Sequence, residues 1–148
     1  MAAFTTIALS LLSKGDEMIV NRPVCTETAA LMENTLSRAG IKMVPVDLSL
    51  PANIHRSLTP RTSLIYFETP TNPLGDILDI AAIAVCGRSH GLKVAVDSTF
   101  TSPALQRPIE HGADIVLQSL PKYINGQTFV LPRQPPFPRR PRFSSSVV

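Results

Sequence analysis

Lys122 lies just past the apolar run Ala113-Asp-Ile-Val-Leu-Gln-Ser-Leu120, and Asp97 closes a second run, Lys93-Val-Ala-Val-Asp97. If the two runs are adjacent strands of one parallel sheet, an amine and a carboxylate emerge together at its carboxyl edge. A lysine so placed can form a Schiff base with an aldehyde cofactor, while a buried aspartate keeps a pyridinium nitrogen protonated. The plainer alternatives are a solvated surface lysine and an aspartate capping the turn after a strand. What decides between them is whether the intervening elements bring the two residues to one rim.

The patterning supplies such elements. Residues 1–13 read as a helix stopped by Gly15-Asp16, and Glu17-Met-Ile-Val-Asn21 reads as a strand. Thr26 or Thr28 can cap a helix running to Arg38, with Gly40 as its stop. Lys42-Met-Val-Pro-Val-Asp47 is the next strand, and Pro45 within it predicts an edge position. A short helix over 51–58 precedes the strand Ser63-Leu-Ile-Tyr-Phe-Glu68. A helix over Asp79–His90 ends at Gly91, and strand 93–97 follows. A turn-rich loop with a short helix near 103–110 leads to a strand over 113–119. Strands alternating with helices predict an α/β fold, three layers with a mainly parallel sheet flanked by helices. Ligands of such sheets gather beyond the carboxyl ends of the strands, where Glu68, Asp97 and Ser119 fall.

With 148 residues at 44% hydrophobic, the chain can bury one core. No apolar run reaches the roughly 18 residues that would suggest a membrane span. The first twelve residues lack the basic start of a signal peptide and read as an amphipathic helix. Cys25 and Cys86 have neither disulfide nor zinc spacing, so a cytoplasmic setting is expected. His55, His90 and His111 share no spacing; they are expected to face solvent, and no metal site is expected. The net charge of +3 includes Arg133, Arg139, Arg140 and Arg142 at the end of the chain, leaving −1 for the rest. That balance gives no nucleic-acid footprint.

Three long motifs occur in sequence: Phe67-Glu-Thr-Pro-Thr-Asn-Pro73, Val96-Asp-Ser-Thr-Phe-Thr-Ser-Pro-Ala-Leu-Gln-Arg-Pro108, and Gly112-Ala-Asp-Ile-Val-Leu-Gln-Ser-Leu-Pro-Lys-Tyr-Ile-Asn-Gly126. Together they resemble the Cys/Met-metabolism family of pyridoxal 5'-phosphate (PLP) enzymes, which includes cystathionine γ-synthase, cystathionine lyases, methionine γ-lyase and homoserine sulfhydrylases. The resemblance implies the large cofactor-binding domain of fold type I PLP enzymes, here truncated. It implies β/γ-elimination or γ-replacement on sulfur amino acids or activated homoserine, the chemistry of transsulfuration, and a homo-oligomer whose subunits complete one another's sites. By the same resemblance Lys122 is the cofactor lysine, Asp97 receives the pyridine N–H, Ser119 binds phosphate, and Asn72 lines the ring near its 3'-oxygen. Glu68 supports the loop. Met1 aligns with a glycine-methionine pair whose N–H groups cradle the phosphate.

Some positions depart from the family pattern. Pro121 stands where a threonine normally precedes the lysine, so a hydroxyl and an N–H are lost. Cys25 replaces the tyrosine that stacks on the ring, Glu27 replaces a small residue beside it, and Ser98 stands for asparagine. The expected organisation is a partial PLP-binding domain over 1–130 and a Pro/Arg-rich, disordered tail over 131–148. Two other readings accompany the enzyme: an inactive remnant of the family, and a binding module acting through the Pro/Arg tail.

Overall fold

The computed structural model describes residues 2–22 and 26–124. Met1, Cys25 and the expected tail lie outside the described residues, so the roles read for them are not addressed by the structure. Helix α1 (Ala2–Leu11) leads to strand β1 (Glu17–Asn21), then α2 (Thr26–Leu31), β2 (Lys42–Val46), α3 (Ala52–Ser57) and β3 (Thr62–Glu68). There follow α4 (Ile80–Ser89), β4 (Lys93–Asp97), α5 (Ser102–Leu105), a 3-10 turn at Pro108–His111 and β5 (Ile115–Leu117). The five strands form one sheet in the order β2-β1-β3-β4-β5, and every pairing is parallel. Pro45 sits on the edge strand β2, where its missing N–H costs no ladder bond on the outer side.

Successive side chains of a strand point to opposite faces, and β3 shows the consequence. Ile65 and Phe67 join one core with Ile54 of α3, Ile83 of α4, and Val94 and Val96 of β4. Leu64 and Tyr66 join the other, with Phe4 and Ala8 of α1, Met32, Leu36 and Ala95. Both faces of the central strands are buried, which is why those strands read as continuous apolar runs. The Phe4 ring rests on Tyr66 with centroids 4.5 Å apart, docking α1 on the sheet.

Three expectations need correction in detail. The helix from Thr26 does not stay regular: after α2 it widens to a π turn over Met32–Leu36, with the Ser37 N–H on the Met32 carbonyl at 3.0 Å. The loop helix divides into α5 and the 3-10 turn, because Gln106 is extended and Arg107 is also non-helical between them. Strand 113–119 shortens to three residues. The Asp114 N–H still reaches the Val94 carbonyl at 2.9 Å, but its carboxylate takes the Val94 N–H at 2.9 Å and Lys93 at 2.8 Å, so a side chain stands where the strand's backbone carbonyl would continue the pairing.

α4 starts at Asp79, whose carboxylate accepts the Ala82 N–H at 2.9 Å, an N-cap. It lies close to the sheet because Gly87 has no side chain. A Cβ there would meet Val94 Cγ2 at 2.7 Å and Ile65 Cδ1 at 3.3 Å. Gly87→Val should therefore destabilise the fold by about 1–3 kcal/mol, the usual cost of overpacking. Urea denaturation would show this as a lower midpoint at unchanged slope.

At the amino edge, buried Glu17 accepts Lys42 Nζ at 2.9 Å and the Thr59 hydroxyl at 2.7 Å. The Lys42 and Thr59 bonds hold its carboxyl below the ordinary 4.5 despite burial. Folded Glu17 thus binds its proton less tightly than the unfolded chain does. Its stabilisation is complete above pH 4.5 and is lost as pH falls through the lower folded value. Thermal melts of Glu17→Gln should accordingly lose less stability than wild type as pH falls through that range.

Candidate active site at the carboxyl edge of the sheet

The register places Glu68 of β3 beside Asp97 of β4, and Asp97 beside Leu117 of β5. β4 and β5 are therefore neighbours in one parallel sheet, and the chain leaving β5 reaches Lys122 five residues on. Pairing continues past the strand ends: the Thr69 N–H reaches the Asp97 carbonyl at 3.2 Å, and the Ser98 N–H reaches the Leu117 carbonyl at 3.0 Å. This rim is where a parallel sheet presents its ligand groups.

Asp97 is half-buried and fixed from one side. Its Oδ1 accepts the Thr99 N–H at 2.9 Å and also the Thr99 hydroxyl. Oδ2 has no hydrogen-bond partner among the described residues. One oxygen of Asp97 thus closes the turn, as the plainer reading expected, and the other is left without a bond at the rim among the described residues. Ser98 beneath it is fully buried, with its hydroxyl against Thr101 Oγ1 at 2.7 Å and accepting Gln106 Nε2 at 3.1 Å.

Ser119 lies two residues beyond β5, in the loop rather than the strand. Its N–H donates to Thr99 Oγ1 at 3.0 Å, so Thr99 links the Asp97 carboxylate to the Ser119 backbone. The Ser119 hydroxyl has no partner among the described residues and remains open to a ligand. Lys122 follows in the turn Leu120–Ile124, its N–H on the Ser119 carbonyl at 3.1 Å. Its ammonium stands 5.9 Å from the centroid of the Phe100 ring, and Tyr123 meets the same ring edge-on at 5.8 Å. Phe100 thereby draws Lys122 toward the turn that begins at Asp97. No ion pair joins Lys122 to Asp97 among the described residues.

Asn72 sits half-buried in the loop between β3 and α4. That loop is held by Thr69 Oγ1, which accepts the Leu78 N–H at 3.0 Å, and by Thr71 Oγ1, which accepts the Asp76 N–H at 3.0 Å. Gln106 Nε2 donates to the Thr69 carbonyl as well as to Ser98, both at 3.1 Å, and so ties the Asn72 loop to the Asp97 turn. Thr99, Phe100 and Gln106 were not singled out in the sequence. An Asp-x-Thr turn after a strand was the signal for Thr99, since such side chains bond backbone two residues away; Gln106 offered none.

This donor set fits pyridoxal 5'-phosphate. A carboxylate oxygen is free for a pyridinium N–H, an amine stands at the same rim for the aldehyde, and an open hydroxyl follows β5 for the phosphate. The structure brings Asp97, Ser119 and Lys122 together and ties the Asn72 loop to them; Met1 lies outside the described residues.

A family model described as Cys/Met metabolism PLP-dependent enzyme matches residues 1–132. An L-methionine gamma-lyase of Pseudomonas deceptionensis is 40% identical over 129 residues, 86% of this chain and 32% of that protein. A cystathionine gamma-synthase of Mycobacterium bovis is 42% identical over 131 residues, 88% of this chain and 34% of that protein. The crystal structure of cystathionine gamma-lyase from Lactobacillus plantarum complexed with L-serine aligns with a TM-score of 0.83 at 42% identity, covering 86% of this chain and 33% of that one. The chain spans about a third of the length of the relatives it matches.

Proposed function

Because this chain belongs to the Cys/Met-metabolism family of PLP-dependent enzymes, we propose that its carboxyl edge binds pyridoxal 5'-phosphate for elimination or replacement chemistry on a sulfur amino acid or activated homoserine. The observation that carries this reading is the fixed Asp97 carboxylate with an open Oδ2, one strand from the segment that delivers Lys122. The cofactor, when bound, supplies an electron sink for negative charge at the substrate's α-carbon.

Asp97 Oδ2 would accept the ring N–H, and its negative charge would keep that proton in place. Thr99 holds the carboxylate to one orientation, so little freedom is lost on binding. Lys122 Nζ would hold the aldehyde and would be the base that moves a proton at the substrate's α-carbon. The Ser119 hydroxyl would donate to the phosphate, with Met1 as a second phosphate contact by resemblance to the family. Asn72 holds the ring edge. L-serine in the Lactobacillus plantarum structure supports an amino acid as substrate.

Self-association of this chain is part of the proposal. Leu105 (83% exposed), Leu120 (63%) and Tyr123 (60%) form apolar surface on the segments that carry the site; burying it in a second copy would complete the pocket. Analytical ultracentrifugation would show a concentration-dependent dimer or larger species. No helix among the described residues is long and apolar enough to cross a membrane. A cytoplasmic setting goes with the proposed reaction.

The direct test is borohydride reduction of the chain mixed with PLP, followed by peptide mass mapping. The adduct is expected on Lys122 and not on Lys14, Lys42 or Lys93. An adduct spread over all four lysines would defeat the assignment. A second reading, capture without turnover, is favoured by Pro121, which offers the phosphate neither hydroxyl nor N–H. Stoichiometric capture with no release of α-keto acid from sulfur amino acids would establish it.

A further inference from the structure

The histidines that shared no spacing in the sequence do meet in space. His55 and His90, both exposed, lie edge-on with ring centroids 4.7 Å apart. Cys86 lies between them and the core, with Sγ 3.6 Å from His55 Nε2. One ligand atom from each of the three lies within 4.8 Å of the other two. We propose that His55, Cys86 and His90 form a binding site for a thiophilic divalent cation such as Zn2+.

The geometry fits such an ion. Zinc at about 2.3 Å from sulfur and 2.0–2.1 Å from nitrogen sets a tetrahedral S···N edge of roughly 3.6 Å. The Cys86–His55 separation already has that value. Closing the remaining edges takes small side-chain rotations of exposed imidazoles. His90 is four residues beyond Cys86, one turn along the end of α4, so the two project from the same side. His55 comes from the last turn of α3.

The hydrogen bonding around His90 also fits a ligand. The Ser89 hydroxyl donates to the Cys86 carbonyl at 2.8 Å. His90 Nδ1 contacts that carbonyl at 2.9 Å and the Ser89 oxygen at 3.0 Å. The Cys86 carbonyl can only accept, so Nδ1 carries the proton toward it, and in the neutral ring Nε2 keeps its lone pair. Metal-binding histidines are commonly oriented by this kind of bond from the other ring nitrogen to a carbonyl. On coordination the Cys86 thiol proton passes to solvent, the sulfur–metal bond forms, and water fills the open position.

The cluster stands apart from the carboxyl edge. α4 runs back along the sheet, and three residues separate its end from the start of β4, so His90 lies at the amino edge, far from Lys122 in the topology. Its test is therefore independent of cofactor binding.

Titrating the full chain with Co2+ should give a thiolate-to-cobalt charge-transfer band that saturates at one ion per chain and is displaced by Zn2+. Cys86→Ser should abolish that band, while Cys25→Ser keeps it. His55→Gln and His90→Gln change exposed side chains and should weaken Co2+ binding about tenfold or more with unchanged thermal stability, while His111→Gln has no effect. A band that survives Cys86→Ser, or equal affinity in the His55 and His90 variants, overturns the proposal. So does the absence of any saturable band in the folded wild-type chain.

Discussion

Lys122→Ala should abolish covalent capture of pyridoxal 5'-phosphate outright, because no other lysine can substitute. The chain has four lysines. Lys42 and Lys93 open strands β2 and β4, at the amino edge, where they pair with Glu17 at 2.9 Å and Asp114 at 2.8 Å. Lys14 precedes β1 at that same edge. Only Lys122 follows a strand end at the carboxyl rim. Titration of the folded chain with PLP should give the visible absorbance of lysine-bound aldehyde in wild type and none in Lys122→Ala. Lys122→Arg should behave like the alanine variant, since a guanidinium stays protonated and is no nucleophile. Neither change should unfold the chain: Lys122 is exposed, and its contact with Phe100 is worth about 0.5–1 kcal/mol. A persistent band in a folded alanine variant would remove Lys122 from the site.

That contrast explains how much of the site could be read beforehand. Strands 17–21 and 93–97, and 42–47 but for its last residue, were legible because each is a short apolar run bounded by turn residues, and Pro45 marked the edge. The adjacency of β4 and β5 was legible because consecutive strands of such folds are usually neighbours. β5 ends at Leu117 for a reason the run itself does not carry: apolar composition says which residues can be buried, not where the ladder stops. The π turn at Met32–Leu36 has no period of its own to announce it. In the candidate site, Asp97 and Lys122 were singled out from residue type and position. Thr99 and Phe100 act only through contacts made after folding, with Ser119 and with Lys122. The meeting of His55 with Cys86, 31 positions apart, depends on α3 and α4 packing on one face of the sheet, which no local spacing encodes.

Asp97→Asn should weaken PLP binding roughly 10- to 100-fold, the equivalent of losing a hydrogen bond to a charged group, about 1.5–3 kcal/mol. The amide keeps an oxygen for the Thr99 bonds at Oδ1, so the turn survives while the charge facing the ligand is lost. Thr99→Val separates the two duties of the aspartate. It removes the hydroxyl that holds Oδ1 and accepts the Ser119 N–H, but leaves the carboxylate charged. Its expected effect on affinity is smaller, about two- to tenfold, the worth of a neutral bond near 0.5–1.5 kcal/mol. Its effect on stability should be larger than that of Asp97→Asn, because the buried Ser119-facing position loses its acceptor. Fluorescence titration and thermal melts on the two variants give four numbers, and their ranking decides the role. If Thr99→Val costs as much affinity as Asp97→Asn, then Asp97 serves the turn rather than the pyridine nitrogen. The opposite ranking, with affinity following charge and stability following the threonine, places the aspartate on the cofactor.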